Sequence, residues 1–449
     1  MRKPLIDSQV FKQRRDLLAK SMEKNSALVV PAHPELIRNN DVHHPYRQST
    51  NMFYLTGFEE AESVLVFVPD SDKPATLFVR KKDPLKETWD GFLYGVDGAK
   101  EAFQVDQTFP IDDLEAELPK LLAERSLLYF SQNHDPDFDQ TMNGILKRVR
   151  ALRGRSGEGN LPIHDSYPLI GEQRLIKSEF EQGELRKACK ISSEAHIEVI
   201  KATRPGINER ALHGLFIKEI MQRGAAREGY GTIVATGNNA VTLHYVFNDC
   251  DLQDGDVLLI DAGAEYHYYT GDITRSYPVN GEFTGAQRDL YQAVLQVQKD
   301  IIEMIQPGVK FNELQDQTYE KLLDALLQLK ILKGDREALL KENAQRKYYP
   351  HGVSHYLGSD VHDSGTRKVN GEFRPLEAGM CFTVEPGLYV AANDETAPAE
   401  FRGIGIRIED NILVTPTGHE NMTQSCPKEV DDLESLIGSG SDIWAGTVS

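Results

Sequence analysis

The sequence predicts a two-domain α/β protein. Three observations carry this: a length of 449 residues, β-rich runs alternating with helical stretches in the first third, and a strongly capped helix that follows a polar, glycine-rich loop. A chain this long exceeds what one core ordinarily fills.

In the first third, Ser26–Ala32, Ser63–Pro69, Ala75–Lys81 and Ser126–Ser131 read as buried strands, and Leu114–Glu124 and Gln140–Leu152 as helices. That alternation is the pattern of an α/β domain. The loop Arg153–Gly159 follows, and the domain boundary is expected between Tyr167 and Ile176, dividing the chain into 1–172 and 173–432. Ser178 and Glu181 have the spacing of a capping box. Leu185, Ala188, Cys189, Ser192, His196 and Val199 continue at helical spacing until Arg204-Pro205-Gly206 stops the helix. His196 reads as a core histidine. Gln306-Pro307-Gly308 repeats the Pro-Gly-then-helix pattern about 100 residues later, as a duplicated half-domain would. Residues 433–449, rich in glycine and serine, are expected to form a flexible tail.

Composition narrows the function. Asp plus Glu outnumber Lys plus Arg by 69 to 50, which argues against a nucleic-acid surface and leaves carboxylates to bind cations. No apolar run reaches the roughly 18 residues of a membrane span, and Met1–Asp7 lacks the apolar stretch of a secretory signal. Cys189, Cys250, Cys381 and Cys426 are scattered, so free thiols in a reducing, cytoplasmic setting are expected.

The chemistry lies in the acids and histidines of the second domain. Asp261 interrupts the apolar run Val257–Gly263, and a carboxylate inside a strand needs a partner. Asp272 follows in Gly271-Asp272-Ile273-Thr274-Arg275. A hairpin turning between Tyr266 and His267 would set the two aspartates directly opposite, about 5 Å apart, where they repel unless a cation lies between. His351, His355 and His362 fall within twelve residues, in a stretch whose Pro350, Gly352 and Gly358 disfavour a helix. A loop or strand aiming several imidazoles at one cavity fits better, against the alternative of a histidine-rich surface loop. Glu385 ends an apolar strand before Pro386-Gly387. In Gly403–Asn411 the period of two sets Arg407 and Glu409 on one face. If Asp261, Asp272, Glu385 and Glu409 converge, two divalent cations balance their charge, and a site of carboxylates with one imidazole favours a hard ion such as manganese.

In order, Ile260–Gly263, Asp272–Arg275, His351–Asp363, Thr383–Gly387 and Arg407–Asn411 resemble the metallopeptidases of the methionine aminopeptidase, prolidase and aminopeptidase P superfamily. Ile37–Asp41, Pro45–Gln48 and Phe53–Phe58 look like the amino-terminal domain of aminopeptidase P and prolidase, which methionine aminopeptidases lack. The resemblance runs from about Asp7 to about Asp432, and His351-Gly352-Val353-Ser354-His355 is nearer the aminopeptidase P form than the prolidase one. Ser359 departs from the family's usual leucine. The resemblance implies a pita-bread catalytic domain with pseudo-symmetric halves and two metal ions, Mn2+ foremost, held by Asp261, Asp272, His355, Glu385 and Glu409. It also implies hydrolysis of the Xaa-Pro bond at a peptide's amino terminus, with a metal-bridging hydroxide as nucleophile. Glu385 would take a proton, and His244, His351 and His362 would contact the scissile amide and its oxyanion. Arg407 would stand beside the bridging glutamate and Tyr389 would line the pocket. Arg153 would close the site, and Trp89 would reach a neighbouring subunit of a homodimer or homotetramer. Xaa-Pro dipeptidase activity is the alternative within the class, and a non-catalytic peptide-binding relative the alternative outside it. Neither a GxSxG elbow nor a phosphate loop is present to support a serine hydrolase or a nucleotide enzyme.

Overall fold

The computed structural model describes residues 3–440, the side chain of Arg155 excepted. The chain divides into two compact units between Gln173 and Arg174.

The first unit is built on a six-stranded mixed sheet. Its spatial order is Gln107–Pro110, Ala75–Val79, Val64–Phe67, Ser26–Pro31, Leu127–Tyr129, Ile163–His164. The strand Ser26–Pro31 pairs antiparallel with Val64–Phe67 and parallel with Leu127–Tyr129. Its run is unbroken in hydrophobicity because both faces are covered: Leu28 and Val30 enter one core, Ala27 and Val29 another. Helices Leu114–Leu122 and Pro136–Arg153 supply Leu114, Leu118, Leu122, Met142, Ile145 and Val149 to the second core. The latter helix begins four residues before the sequence expectation, since Asp135 caps it and Pro136 occupies its first turn.

The second unit repeats one motif. Helices Glu179–Ala202 and Glu209–Gln222 precede the antiparallel strands Ile233–Thr236, Val257–Ala262 and Ile273–Pro278. Helices Gly285–Glu303 and Phe311–Gln328 precede Cys381–Val384, Asp410–Thr415 and Gly418–Asn421. The two Pro-Gly turns make matching bonds. Gly206 N–H donates to Leu252 O and Leu252 N–H to Ile207 O, while Gly308 N–H donates to Leu376 O and Leu376 N–H to Val309 O. Both glycines hold positive φ (84° and 96°), a conformation that a side chain would strain. The internal echo is therefore structural. One core joins the two halves.

The capping box at Ser178 and Glu181 is formed. His196 is fully buried with Nε2 2.9 Å from Ala262 O, and burial lowers its pKa to about 4, so it is a neutral core residue. The expected tail is partly corrected. Val430–Leu436 is a helix with Leu433 completely buried, and Gly440 N–H donates to Lys201 O. The apolar spacing of Val430 and Leu433 outweighs the polar composition around them. Residues 441–449 lie outside the described residues. Among the described residues no helix is long and apolar enough to cross a membrane, and all four cysteines are free.

Candidate active site

Asp261 and Asp272 sit where the central strands of the first half end. Val257–Ala262 pairs with Ile273–Pro278, and the connecting hairpin closes through His267 and Tyr268, both at positive φ, with Tyr266 opposite Tyr269. This two-residue turn has the twist that right-handed strands prefer. It lies one residue beyond the expected turn, and moving a turn centre by one shifts the register by two. Asp261 is consequently opposite Thr274, and Asp272 is its diagonal neighbour on the same face, which corrects the direct pairing. The aspartates still meet. The Tyr230 hydroxyl lies 2.6 Å from Asp261 Oδ1 and also bonds Asp272 Oδ1. Gly263 permits this closeness, because a Cβ there would fall 1.7 Å from Gly271 O.

The second half supplies the remaining groups. Glu385 lies between the strands Cys381–Val384 and Gly387–Val390, and its N–H donates to Val353 O of the histidine loop. His355 is tied to the same strand by its N–H to Thr383 Oγ1. Its Nδ1 faces Tyr356 O (3.1 Å), which leaves Nε2 for the cavity, 3.4 Å from Asp272 Oδ2 and 3.7 Å from Glu385 Oε1. Glu409 accepts from Thr274 Oγ1 at 2.7 Å, and Arg407 Nε donates to the same hydroxyl at 3.1 Å, so the two share a face as their spacing predicts. Arg407 Nη2 donates to Asp261 Oδ2 at 2.7 Å. Fully buried Arg275 pins this corner by donating to Asp410 Oδ1 and to the Glu409 carbonyl.

These elements enclose a cavity of about 510 Å³ lined by Asp261, Asp272, His355, Glu385 and Glu409, together with His244, His351, His362 and Arg407. One ligand atom each from Asp272, His355 and Glu409 lies within 4.8 Å of the others. The electrostatics show how much charge has been gathered. Burial and then the neighbouring acids push Glu409 well above the carboxylate range, and burial brings Glu385 up to about 7. Burial raises Asp261 against the pull of Arg407. Burial opposes ionisation of Asp272 too, but His355 outweighs it and holds that group low, and in return His355 rises to about 9 against its own desolvation. Like charges at this separation raise one another's pKa, and a divalent cation would reverse the effect. Four carboxylates and one imidazole with Nε2 turned to the cavity therefore suit hard divalent ions in number and in kind.

Around these five groups, His351 Nδ1 faces Gly352 O and its Nε2 meets the Tyr389 hydroxyl, each at 2.8 Å, and Arg407 Nη1 donates to the same hydroxyl at 3.0 Å. Burial and Arg407 lower His351 to about 3. The His362 ring packs edge-on to His355 at 4.3 Å, and burial followed by His355 lowers its pKa. His244 is exposed at the cavity wall.

Two expectations change. Tyr389 does not line the cavity but stands behind His351 and Arg407, buried. Arg153 is not in a loop: it ends the helix Pro136–Arg153, buried, with its guanidinium donating to the carbonyls of Ala123, Arg125 and Gly159. Those bonds occupy the group that was to close the site. Trp89 is 82% exposed in the helix Pro84–Asp90. Sequence reasoning gave no role to Tyr230, Thr274 or Asn411, whose Oδ1 accepts from Asp272 N–H at 2.9 Å. Thr274 and Asn411 stand inside motifs already singled out. Tyr230 is marked only by its flanking glycines, Gly229 and Gly231.

The chain matches known proteins along nearly its whole length. Residues 183–416 match metallopeptidase family M24, and residues 11–129 match the aminopeptidase P amino-terminal domain. The chain is 40% identical to the Xaa-Pro aminopeptidase of Escherichia coli K12, covering 96% of this chain and 98% of that one. It is 35% identical to human Xaa-Pro aminopeptidase 3, covering 93% and 82%. The fold is similar to that of the aminopeptidase PepP of Pseudomonas aeruginosa, with TM-score 0.94 and 39% identity over 98% of this chain and 100% of that one. A zinc-substituted E. coli aminopeptidase P in complex with product gives TM-score 0.92 and 40% identity over 96% and 98%. An aminopeptidase P amino-terminal domain followed by this catalytic domain, each recognised in sequence and in fold, establishes that the chain belongs to metallopeptidase family M24 as an enzyme of the aminopeptidase P type.

Proposed function

We propose that the protein is a two-metal aminopeptidase that hydrolyses the amino-terminal Xaa-Pro bond of peptides. The observation that carries the reading is the convergence of Asp261, Asp272, His355, Glu385 and Glu409 on one cavity. These five residues would hold two divalent ions, manganese foremost. Bound there, the ions would supply a water acidified to a nucleophile at neutral pH and positive charge for the tetrahedral intermediate.

The chain's own groups handle the protons and the orientation. Glu385, which lines the cavity beside the other acids, is the group to accept a proton and pass it to the departing proline nitrogen. His362 and His244 face the cavity and are the groups to bond the oxyanion and orient the proline side of the bond. His351 lines the cavity too and would contact the scissile amide, its Nε2 meeting the Tyr389 hydroxyl to which Arg407 also donates. The apolar wall of Ile233, Leu243, Val246 and Val361 suits a proline ring, which has no N–H to leave unpaired. Exposed Trp89 is available for contact with a second copy of the chain.

The deciding experiment compares Xaa-Pro with Xaa-Pro-Yaa after chelation and readdition of manganese. Cleavage of the tripeptide at its Xaa–Pro bond is expected. Hydrolysis of dipeptides alone would overturn the aminopeptidase reading in favour of a dipeptidase.

A further inference from the structure

Glu209 is a carboxylate that the chemistry does not use. It is completely buried in the first turn of the helix Glu209–Gln222, where the exposed N–H groups of the helix favour negative charge. All four of its partners belong to the segment 236–250. Oε1 accepts from Thr236 N–H (2.8 Å) and Asn239 Nδ2 (3.1 Å), while Oε2 accepts from the Tyr245 hydroxyl (2.9 Å) and Cys250 N–H (3.0 Å). Oxygen and sulfur atoms of Glu209, Asp249 and Cys250 also lie within 4.8 Å of one another, a spacing that could suit a cation. Four donors already occupy both oxygens of Glu209, however, so the cluster is a clamp rather than a metal site.

What the clamp holds is the wall of the active site. Between the 3-10 turn Gly237–Val241 and the strand Val257–Ala262 the chain has almost no regular structure, yet Leu243, His244 and Val246 line the cavity. Val246 and Phe247 are 61% and 72% exposed, whereas Ala240 and Tyr245 are buried in a small apolar cluster with Leu259 and Tyr389 that Val241 and Leu243 flank. Tyr245 is its buried side chain beside His244, and Glu209 bonds its hydroxyl. Further ties act at single points: buried Asn248 accepts from Val234 N–H and donates to Thr232 O, Asn238 Oδ1 accepts from Ala392 N–H, and Asp249 O accepts from Asn208 Nδ2. Among the described residues Glu209 alone bonds the start, middle and end of the loop.

We propose that Glu209 is a positioning residue for catalysis, which acts by fixing His244 at the substrate. The inference rests on the role given to His244 above. A carboxylate is required because four donors converge on it. With glutamine in either amide orientation, one backbone N–H, that of Thr236 or that of Cys250, faces an NH2 group and has no acceptor.

The test is a double-mutant cycle in the manganese-loaded full chain, read as kcat/KM on Xaa-Pro-Yaa, with amide exchange across residues 238–247. Glu209→Gln is expected to lower kcat/KM about tenfold, the scale of a lost outer-shell contact, and less than twofold when His244→Ala is already present. Amide exchange should quicken in 238–247 and stay unchanged in 351–363, with bound manganese retained. Tyr245→Phe, which removes one donor and leaves the carboxylate, should show the same pattern at smaller size and serves if Glu209→Gln does not fold. Equal losses in both backgrounds, unaltered kcat/KM, or exchange quickening throughout the second unit would each overturn the proposal. If His244→Ala itself matches the wild type, the reading of His244 fails and the positioning role goes with it. Local exchange in 238–247 would then report on the clamp alone.

Discussion

Asp272→Asn is expected to lower kcat/KM for Xaa-Pro-Yaa by at least about 10³-fold and to remove most of the bound metal. Loss of an outer partner of a metal ligand already costs about 10- to 100-fold, and a ligand itself contributes more than such a partner. Asp272 meets His355 Nε2 at 3.4 Å, bonds Tyr230, and is fixed through its N–H by Asn411. Asparagine keeps the shape, so fold and backbone contacts should persist while the charge is lost. Metal content by elemental analysis beside steady-state kinetics checks this. A variant that keeps two ions and loses less than tenfold in rate would remove Asp272 from the ligand set.

Chelated enzyme is expected to lose about 2 kcal/mol of stability between pH 7 and 8.5, and the manganese-loaded enzyme to lose much less. The sign follows from His355. Among the protein's own charges its pKa is raised to about 9 by Asp272 and Glu385, against its desolvation. A base whose folded pKa is raised contributes stability that is complete below its unfolded value of roughly 6.5 and is lost as pH climbs toward the folded value. Glu385, an acid raised to about 7, acts in the same direction at lower pH, its contribution fading above about 4.5 and gone past 7. His351 and His196, lowered to about 3 and about 4, act oppositely, but only below about 6.5. The buried thiols of Cys189, Cys381 and Cys426, all raised, steepen the loss above about 8.5. With metal bound, His355 is deprotonated in folded protein, so its term disappears. Urea denaturation at pH 7, 7.5, 8 and 8.5, with and without chelator, measures the difference. A chelated protein that grows more stable over this range would refute the charge balance assigned to the cavity.

How far the sequence revealed this site depends on the kind of interaction. The strands were legible because burial on both faces leaves unbroken apolar runs, and an acid inside or at the end of such a run stands out, as Asp261 and Glu385 do. Period two placed Arg407 and Glu409 on one face, and both meet Thr274. Register was less legible. One residue of uncertainty at the His267–Tyr268 turn moved Asp272 from opposite Asp261 to its diagonal. Arg153 was misread because a glycine-rich stretch hid the continuation of a helix whose final guanidinium is spent on nearby carbonyls.

Least legible were the groups whose partners are distant in sequence. Tyr230 bridges two aspartates that lie 31 and 42 positions away. Glu209 reads locally as an ordinary first-turn glutamate after the N-cap Asn208, and its donors lie 27 to 41 positions away. Such hubs leave no periodic trace. They are found only by asking where each buried polar group finds its hydrogen bonds.

Stepwise addition of Mn2+ to fully chelated enzyme, with Xaa-Pro-Yaa hydrolysis followed at each step, tests the central claim most directly. The account predicts no turnover without metal and a rate that levels off at two ions per chain. Full turnover by metal-free enzyme, or a plateau at a single ion with no second one bound, would contradict it.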